Sequence, residues 1–217
     1  MRSDRSYRSV FSLQQAPAVF APGVFLDQVE VLQQQFARAV FPSAVAAFLS
    51  ACIIYKFSSD SACLYWLIVF AFITGLRIYH GLVRGREQDS IVGASEWYSL
   101  FLLGCILAGS MWSYLGIAVI AGLEMSRLEL AFLHGINVLF IAGLTAGALL
   151  SYRTSFLAFL VFSLPAVVPY GVYLAVQPDS YQPVPGILLL MYFLFLLMIG
   201  FNNRLNQPLT DGNSTGS

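Results

Sequence analysis

Six apolar stretches, each close to the length needed to cross a bilayer, constrain this chain more than any other feature. They lie near residues 39–57, 62–80, 98–122, 128–150, 155–176 and 184–201. A transmembrane helix needs about 20 mostly apolar residues to cross about 30 Å of hydrocarbon. No stretch alternates as a membrane β-strand does, and backbone in lipid must satisfy its own hydrogen bonds. The sequence therefore predicts an all-α membrane protein, a bundle of six transmembrane helices surrounded by membrane lipid.

The composition supports a membrane protein and excludes several functions. Of 217 residues, 58% are hydrophobic and 10% are charged, against about 25% charged in soluble proteins. The net charge is zero, so we expect no nucleic-acid partner. Cys52, Cys63 and Cys105 form no C-x-x-C pair, so no metal site or disulfide is predicted.

The basic residues predict the orientation of the chain. Arginine and lysine near the ends of spans concentrate on the cytoplasmic side of membrane proteins. The cytoplasmic set predicted here is Arg2, Arg5, Arg8, Arg38, Arg77, Arg84, Arg86, Arg153 and Arg204. Lys56 and Arg127 fall on the other side, and six spans then place both termini in the cytoplasm.

Four segments follow from this topology. They are a cytoplasmic tail (1–23), an amphipathic interfacial helix (24–38), the six-span domain (39–201) and a polar cytoplasmic tail (202–217). The interfacial helix is predicted from four apolar residues at helical spacing, namely Phe25, Val29, Leu32 and Phe36. The alternative for this helix is a contact surface for a cytoplasmic partner. The longest internal loop, "HGLVRGREQDSIVGASEW", is predicted to be cytoplasmic.

Small residues predict where helices pack closely. Span three carries Gly104, Ala108, Gly109 and Gly116, and span four carries Gly143 and Gly147. Small residues at three- and four-residue spacing let helix backbones approach. We therefore predict that spans three and four form the centre of the bundle, with a homodimer through this face as the alternative.

A polar group near the outer end of span four is the candidate ligand pocket. His134 and Asn137 lie one turn apart there, and a polar residue within a span costs free energy unless it faces protein or water. Trp112, Tyr114 and Tyr170 are predicted to line the same pocket. The alternative is a satisfied interhelical hydrogen bond or a histidine that snorkels to the membrane interface, with the aromatic residues filling the core or lying at the interfaces.

Pro165 and Pro169, four residues apart in span five, predict a kinked helix because each removes a backbone donor. The kink is either architectural or a hinge that shifts the cytoplasmic ends.

Charges near the cytoplasmic end of span two form another cluster. Arg77, His80, Arg84 and Arg86 lie beside acidic residues there and are interpreted as topology-setting charge. A contact site for anionic lipid or for a cytoplasmic domain is the alternative.

The chain carries no motif for catalysis. It has no glycine-rich phosphate loop, no H-E-x-x-H and no G-x-S-x-G, and no carboxylate lies deep in a span. We expect no enzyme, no catalytic residue and no cofactor. A small transporter or channel stays open as an alternative, although spans one to three and four to six show no convincing repeat.

Several stretches resemble the integral membrane sensor domains of bacterial signalling proteins, the MASE-like class. They are "DQVEVL", "FLLGCILAGSMWSYLGI", "FLHGINVLFIAGLTAGALLSYRTSFLAFLVFSLPAVVPYGVYLA" and "ILLLMYFLFLLMIGFNNRLN". The resemblance implies a sensory module of the bacterial inner membrane that acts through a cytoplasmic diguanylate cyclase (GGDEF) or histidine kinase output domain, or through a partner protein. The chain departs from that class after Arg204, where "LNQPLTDGNSTGS" cannot continue span six as a signalling helix. A membrane scaffold or assembly protein is a further alternative.

Overall fold

The computed structural model of the chain describes residues 22–83, 91–152, 155–178 and 183–205. These ranges form six helices: α1 (Pro22–Ser58), α2 (Ala62–Val83), α3 (Ile91–Tyr114), α4 (Arg127–Ser151), α5 (Phe156–Ala175) and α6 (Pro183–Leu205). Helix α3 continues directly into a π-helical segment, Leu115–Ile120. All six helices are long and apolar enough to cross a membrane, and no strand occurs in the described ranges. The predicted six-helix, all-α membrane fold is therefore confirmed.

Polar side chains fix where several helices begin. The Asp60 carboxylate accepts a hydrogen bond from the backbone N–H of Ala62 at 2.7 Å. Ser126 and Glu129 form a reciprocal capping box at the start of α4, and the Ser155 hydroxyl accepts from the N–H of Ala158. Because the first N–H groups of a helix lack partners within it, such caps place the helix start at one residue.

Helix α1 runs without a break through the boundary predicted at residues 38 and 39. The segment predicted as a separate interfacial helix, 24–38, is the first part of the same helix, and Pro42 lies within it. Leu32, from this part, is buried. The placement of residues 24–38 at the membrane surface stays a prediction.

The described residues of the loop predicted at 80–97 are helical, and the place of this loop in the cytoplasm stays a prediction. Helix α2 continues through Val83 and α3 begins at Ile91. The apolar and small residues around Ile91 allow α3 to begin before its hydrophobic stretch. Arg84, Arg86 and Arg153 lie outside the described residues, as do the tails 1–21 and 206–217. Arg204 lies in the last turn of α6.

Helices α3 and α5 form the centre of the bundle. Their mutual contact is more extensive than that of any other helix pair in the described ranges. A Cβ atom placed on Gly109 would overlap the backbone oxygen of Phe162, and one on Gly116 would overlap the ring of Tyr170. The prediction that spans three and four form the centre was therefore wrong, because Gly109 and Gly116 of α3 receive α5.

The glycine pair of α4 takes no part in this packing. A Cβ on Gly143 or Gly147 would meet nothing within 4 Å. The close approach on the other side of α5 is made instead by Gly186 of α6, where a Cβ would lie 2.7 Å from the backbone oxygen of Gly171. Backbone contact thus runs from α3 through α5 to α6.

The outer faces of α2 and α6 are broad apolar surfaces. Their large exposed side chains include Tyr65, Ile68, Phe72 and Leu76 on α2 and Leu188, Met191, Leu194 and Met198 on α6. Exposed apolar surface of this extent is characteristic of a lipid-facing or interaction surface. Together with the length of the helices, it defines a multi-pass membrane protein.

Candidate functional site

His134 of α4 and Tyr170 of α5 form a buried hydrogen-bonded pair. Nδ1 of His134 lies 2.8 Å from the Tyr170 hydroxyl oxygen, which lies 3.3 Å from the backbone oxygen of His134. A tyrosine hydroxyl has one proton to donate. Both contacts are satisfied when Nδ1–H donates to the hydroxyl and the hydroxyl donates to the carbonyl. The pair therefore couples the position of α5 to that of α4.

Several polar atoms around this pair are buried without a partner. They are Nε2 of His134, both amide atoms of Asn137 and the hydroxyl oxygen of Ser50 on α1. The Asn137 amide lies near the Tyr170 hydroxyl, but the geometry of a hydrogen bond is not met at either amide atom. An unsatisfied buried polar group costs about 1–3 kcal/mol, so native proteins hold few of them. A cluster of three such side chains marks a place where a polar molecule gains hydrogen bonds by binding.

Ser50 and Asn137 face the same small cavity. The other residues that line it are Ile53, Ile54, Leu115, Ile120, Leu133 and Ile136. The cavity has room for about one water molecule, and its polar groups offer both donors and acceptors. Leu115 and Ile120 are the first and last residues of the π-helical segment, a type of turn that often occurs at functional sites.

Trp112 and Tyr114 do not lie at this cavity, so their predicted place in the pocket was wrong. Trp112 is fully buried between Trp66 and Phe70, with ring centroids 5.7 and 5.9 Å away, and its indole N–H donates to the Ser43 hydroxyl at 3.4 Å. Tyr114 is 55% exposed. Residues two positions apart lie about 200° apart around an α-helix, so the two side chains point to different faces.

The proline pair of α5 is held by a serine of α3. Pro169 has no N–H to donate to the backbone oxygen of Pro165, one turn earlier. The Ser113 hydroxyl lies 2.6 Å from that oxygen and 2.9 Å from the backbone oxygen of Ala166. Ser113 therefore supplies, from another helix, the donor that the proline removes.

Ser113→Ala is expected to lower the free energy of unfolding by about 1–2 kcal/mol, because the Pro165 oxygen loses its donor in a buried place. In a Pro169→Ala background the same change should cost less, since residue 169 then donates its own N–H. The coupling is measured by unfolding the four purified proteins in detergent. Ser99→Ala is the control, because that hydroxyl donates to Ser95 within its own helix. Equal losses in both backgrounds would contradict the pairing of Ser113 with the proline.

Sequence reasoning found part of this site and missed part. The structure brings His134, Asn137 and Tyr170 together, although of these three only Asn137 lines the cavity. Ser50 and Ser113 were not predicted, because a serine in an apolar helix is usually a small packing residue. In the described ranges, no three His, Cys, Asp or Glu side chains meet as metal ligands.

The fold and this site define a six-span α-helical membrane protein with a buried polar cluster. Comparison with known proteins gives no matching family model, no matching curated protein and no matching solved structure. The resemblance to MASE-like sensor domains therefore stays an expectation drawn from the sequence.

Proposed function

We propose that this chain is a membrane-embedded sensory input module of bacterial signal transduction. The observation that carries the proposal is the buried hydrogen bond between His134 and Tyr170, which joins two helices beside the unpartnered amide of Asn137. Polar groups without partners in a membrane interior are costly, and they mark functional sites. A stimulus acting there changes the contact between α4 and α5.

The signal passes through α5. A bound polar species that hydrogen-bonds Asn137 or Nε2 of His134 favours one of two arrangements of the bundle, to the extent of its difference in affinity for them. The Ser113 contact ties the proline-containing part of α5 to α3. Because Gly186 of α6 packs directly on Gly171 of α5, a shift of α5 also moves α6.

The output lies in the cytoplasm of a bacterial cell whose inner membrane holds the bundle. A diguanylate cyclase or histidine kinase domain, attached or recruited as a partner, receives the movement of α6. In this proposal the catalytic step belongs to the output domain and not to the membrane bundle. Only the membrane-spanning character is common to this proposal and to the transporter and scaffold alternatives.

Asn137→Leu is expected to stabilise the protein while abolishing its response. Removing an unpartnered buried amide raises the free energy of unfolding by about 1 kcal/mol. The same change removes the groups that recognise the stimulus. Thr145→Val is the control, since the Thr145 hydroxyl is buried but donates within its own helix. We expect it to leave the response intact.

The response is measured with a chimera of residues 1–205 and a diguanylate cyclase domain in a bacterial host. Cyclic di-GMP is followed with and without added formamide, acetamide or ethanol, small polar molecules that can hydrogen-bond the Asn137 amide. Output that varies in the parent chimera and is constant in Asn137→Leu supports the proposal. Constant output in the parent would contradict it. Uptake of the same solutes into proteoliposomes faster than into protein-free liposomes would also contradict it and favour a transporter. A stoichiometric crosslinked partner independent of these conditions would favour a scaffold.

A further inference from the structure

A second cavity opens at the opposite end of the bundle from the His134 site. Its volume is about 60 Å³, and helices α1, α2, α4 and α5 contribute to its walls. The residues that matter for its chemistry are Ser43, Arg77, Gly143, Gly147, Ser151 and Tyr152. This cavity is larger than the one at Asn137, and it contains a permanent positive charge.

The polarity of the cavity changes with depth. Arg77 precedes Gly81, the last residue of the second span, by four residues, or about 6 Å of helix. Ser151 is the last residue of α4, and Gly143 lies about 12 Å deeper along the same helix. The charged and hydroxyl groups are therefore near the level of lipid headgroups, and the glycines are at the level of the acyl chains.

The arginine is positioned by its surroundings. Its aliphatic part packs on Gly104, where a Cβ would lie 2.8 Å from the Arg77 Cγ atom. Its guanidinium donates to the Cys105 sulfur at 3.5 Å, and that sulfur lies 3.9 Å from the Tyr152 hydroxyl. A guanidinium in a region of low dielectric attracts an anion, with phosphate and carboxylate as the groups that match its geometry.

The deeper part of the cavity is open along α4. Gly143 and Gly147 are exposed, with no atom within 4 Å of the position of a Cβ. Leu139 and Leu150, which are 73% and 77% exposed, extend this surface along the helix. The absence of side chains at the two glycines leaves a shallow apolar channel that leads from Arg77 toward the centre of the membrane.

We propose that this cavity binds an anionic amphiphile, such as an acidic phospholipid or a fatty acid. Its phosphate or carboxylate pairs with Arg77 and hydrogen-bonds Ser151, and the first part of its acyl chain lies over Gly143 and Gly147. The charge and the channel meet at the depth where the headgroup and tail of a lipid meet, which is why an amphiphile fits better than a free anion. This site shares no residue with the His134 site, so the proposed sensory function is not required for it.

The test titrates the purified chain in neutral detergent with dioctanoyl phosphatidylglycerol, dioctanoyl phosphatidylcholine, oleate and inorganic phosphate. Binding is followed by native mass spectrometry and by the midpoint of thermal unfolding. Phosphatidylglycerol and oleate are expected to bind and raise the midpoint, while phosphatidylcholine and phosphate do not. Arg77→Met, which keeps the aliphatic length, should weaken phosphatidylglycerol binding by roughly tenfold or more, as expected for loss of a charge-assisted pair.

Matched variants separate the two parts of the site. Gly147→Leu should fill the channel and weaken the binding of both phosphatidylglycerol and oleate. Gly135→Leu is the control on the same helix, because a Cβ there also meets no atom within 4 Å, and it should leave binding unchanged. Lys56→Met removes a different exposed cation and should leave binding intact. Equal phosphatidylglycerol affinity in Arg77→Met and the parent, or binding of inorganic phosphate as tight as that of the lipid, would overturn the proposal. It would also be overturned if Gly147→Leu converted a dimer to a monomer with lipid binding unchanged, since the channel would then belong to a second copy of the chain.

Discussion

Gly109→Leu is expected to be the most disruptive single substitution in the bundle. A side chain at this position enters the backbone of α5 at Phe162, and the ring of Pro165 lies 3.1 Å from the position of the Cβ. A flexible side chain can rotate away from an added group, but a helix backbone must move as a whole. Overpacking of a core costs about 1–3 kcal/mol, and here we expect at least the upper end of that range.

The effect is measured by unfolding the purified protein in detergent, with the fraction folded followed by tryptophan fluorescence. Gly143→Leu is the matched control, because it adds the same side chain at a glycine that meets no atom within 4 Å. We expect Gly143→Leu to be neutral or slightly stabilising, since leucine is a better helix former than glycine. If both variants lost the same stability, the close contact of α3 with α5 would not be what holds the centre together.

Trp112→Ala is expected to have the second largest effect. The indole is fully buried and packs edge-on against Trp66 and Phe70, with Phe140 on α4 at a centroid distance of 6.1 Å. In water-soluble proteins, a buried tryptophan replaced by alanine costs about 3–5 kcal/mol. In a bilayer the transfer of apolar surface contributes little, because lipid is as apolar as the core, so the lost packing dominates and we expect about 3 kcal/mol.

The same unfolding experiment compares Trp112→Ala with two other variants. Trp112→Phe keeps an aromatic ring and should recover more than half of the loss. Tyr114→Ala lies two residues away on the exposed face of α3 and should change stability by less than about 0.5 kcal/mol. A loss at Tyr114 equal to that at Trp112 would mean that the two faces of α3 are equally packed.

The fold was predictable because its strongest determinant is local. A helix that crosses about 30 Å of hydrocarbon needs a continuous apolar stretch of about 20 residues, which is visible in the sequence. All six predicted stretches coincide with helices. The predicted ends of the helices were less accurate than their number. The residues around Ile91 are not apolar enough to be recognised as part of a span, yet α3 already begins there.

Helix pairing was not predictable from the same information. Gly109 and Gly143 look alike in sequence, but one meets the backbone of α5 and the other meets no atom within 4 Å. The direction in which a small residue faces depends on the rotation of its helix, which is set by all neighbours at once. The hydrogen bond of Ser113 was unpredictable for a similar reason, since its acceptor, the backbone oxygen of Pro165, lies on another helix.

The polar cluster was partly predictable because polar residues are rare in the spans. His134 and Asn137 stand out in an apolar segment, and their spacing of three residues places them on one side of α4. Tyr170 was predicted to join them, but the hydroxyl of Ser50 could not be assigned to them from sequence, since it approaches from a different helix.

The π-helical segment at the end of α3 changes the register of that helix. A turn that closes on the fifth residue holds about one residue more than an α-helical turn, so every position beyond it is rotated by about 100° relative to a regular helix. Before this segment, Gly109 and Ser113 face α5, and within it Leu115 and Ile120 face the cavity at Asn137. Because a π-helical turn closes on the fifth residue, it brings Leu115 and Ile120, five positions apart, to the same polar cavity, while Gly116 between them still packs on Tyr170 of α5.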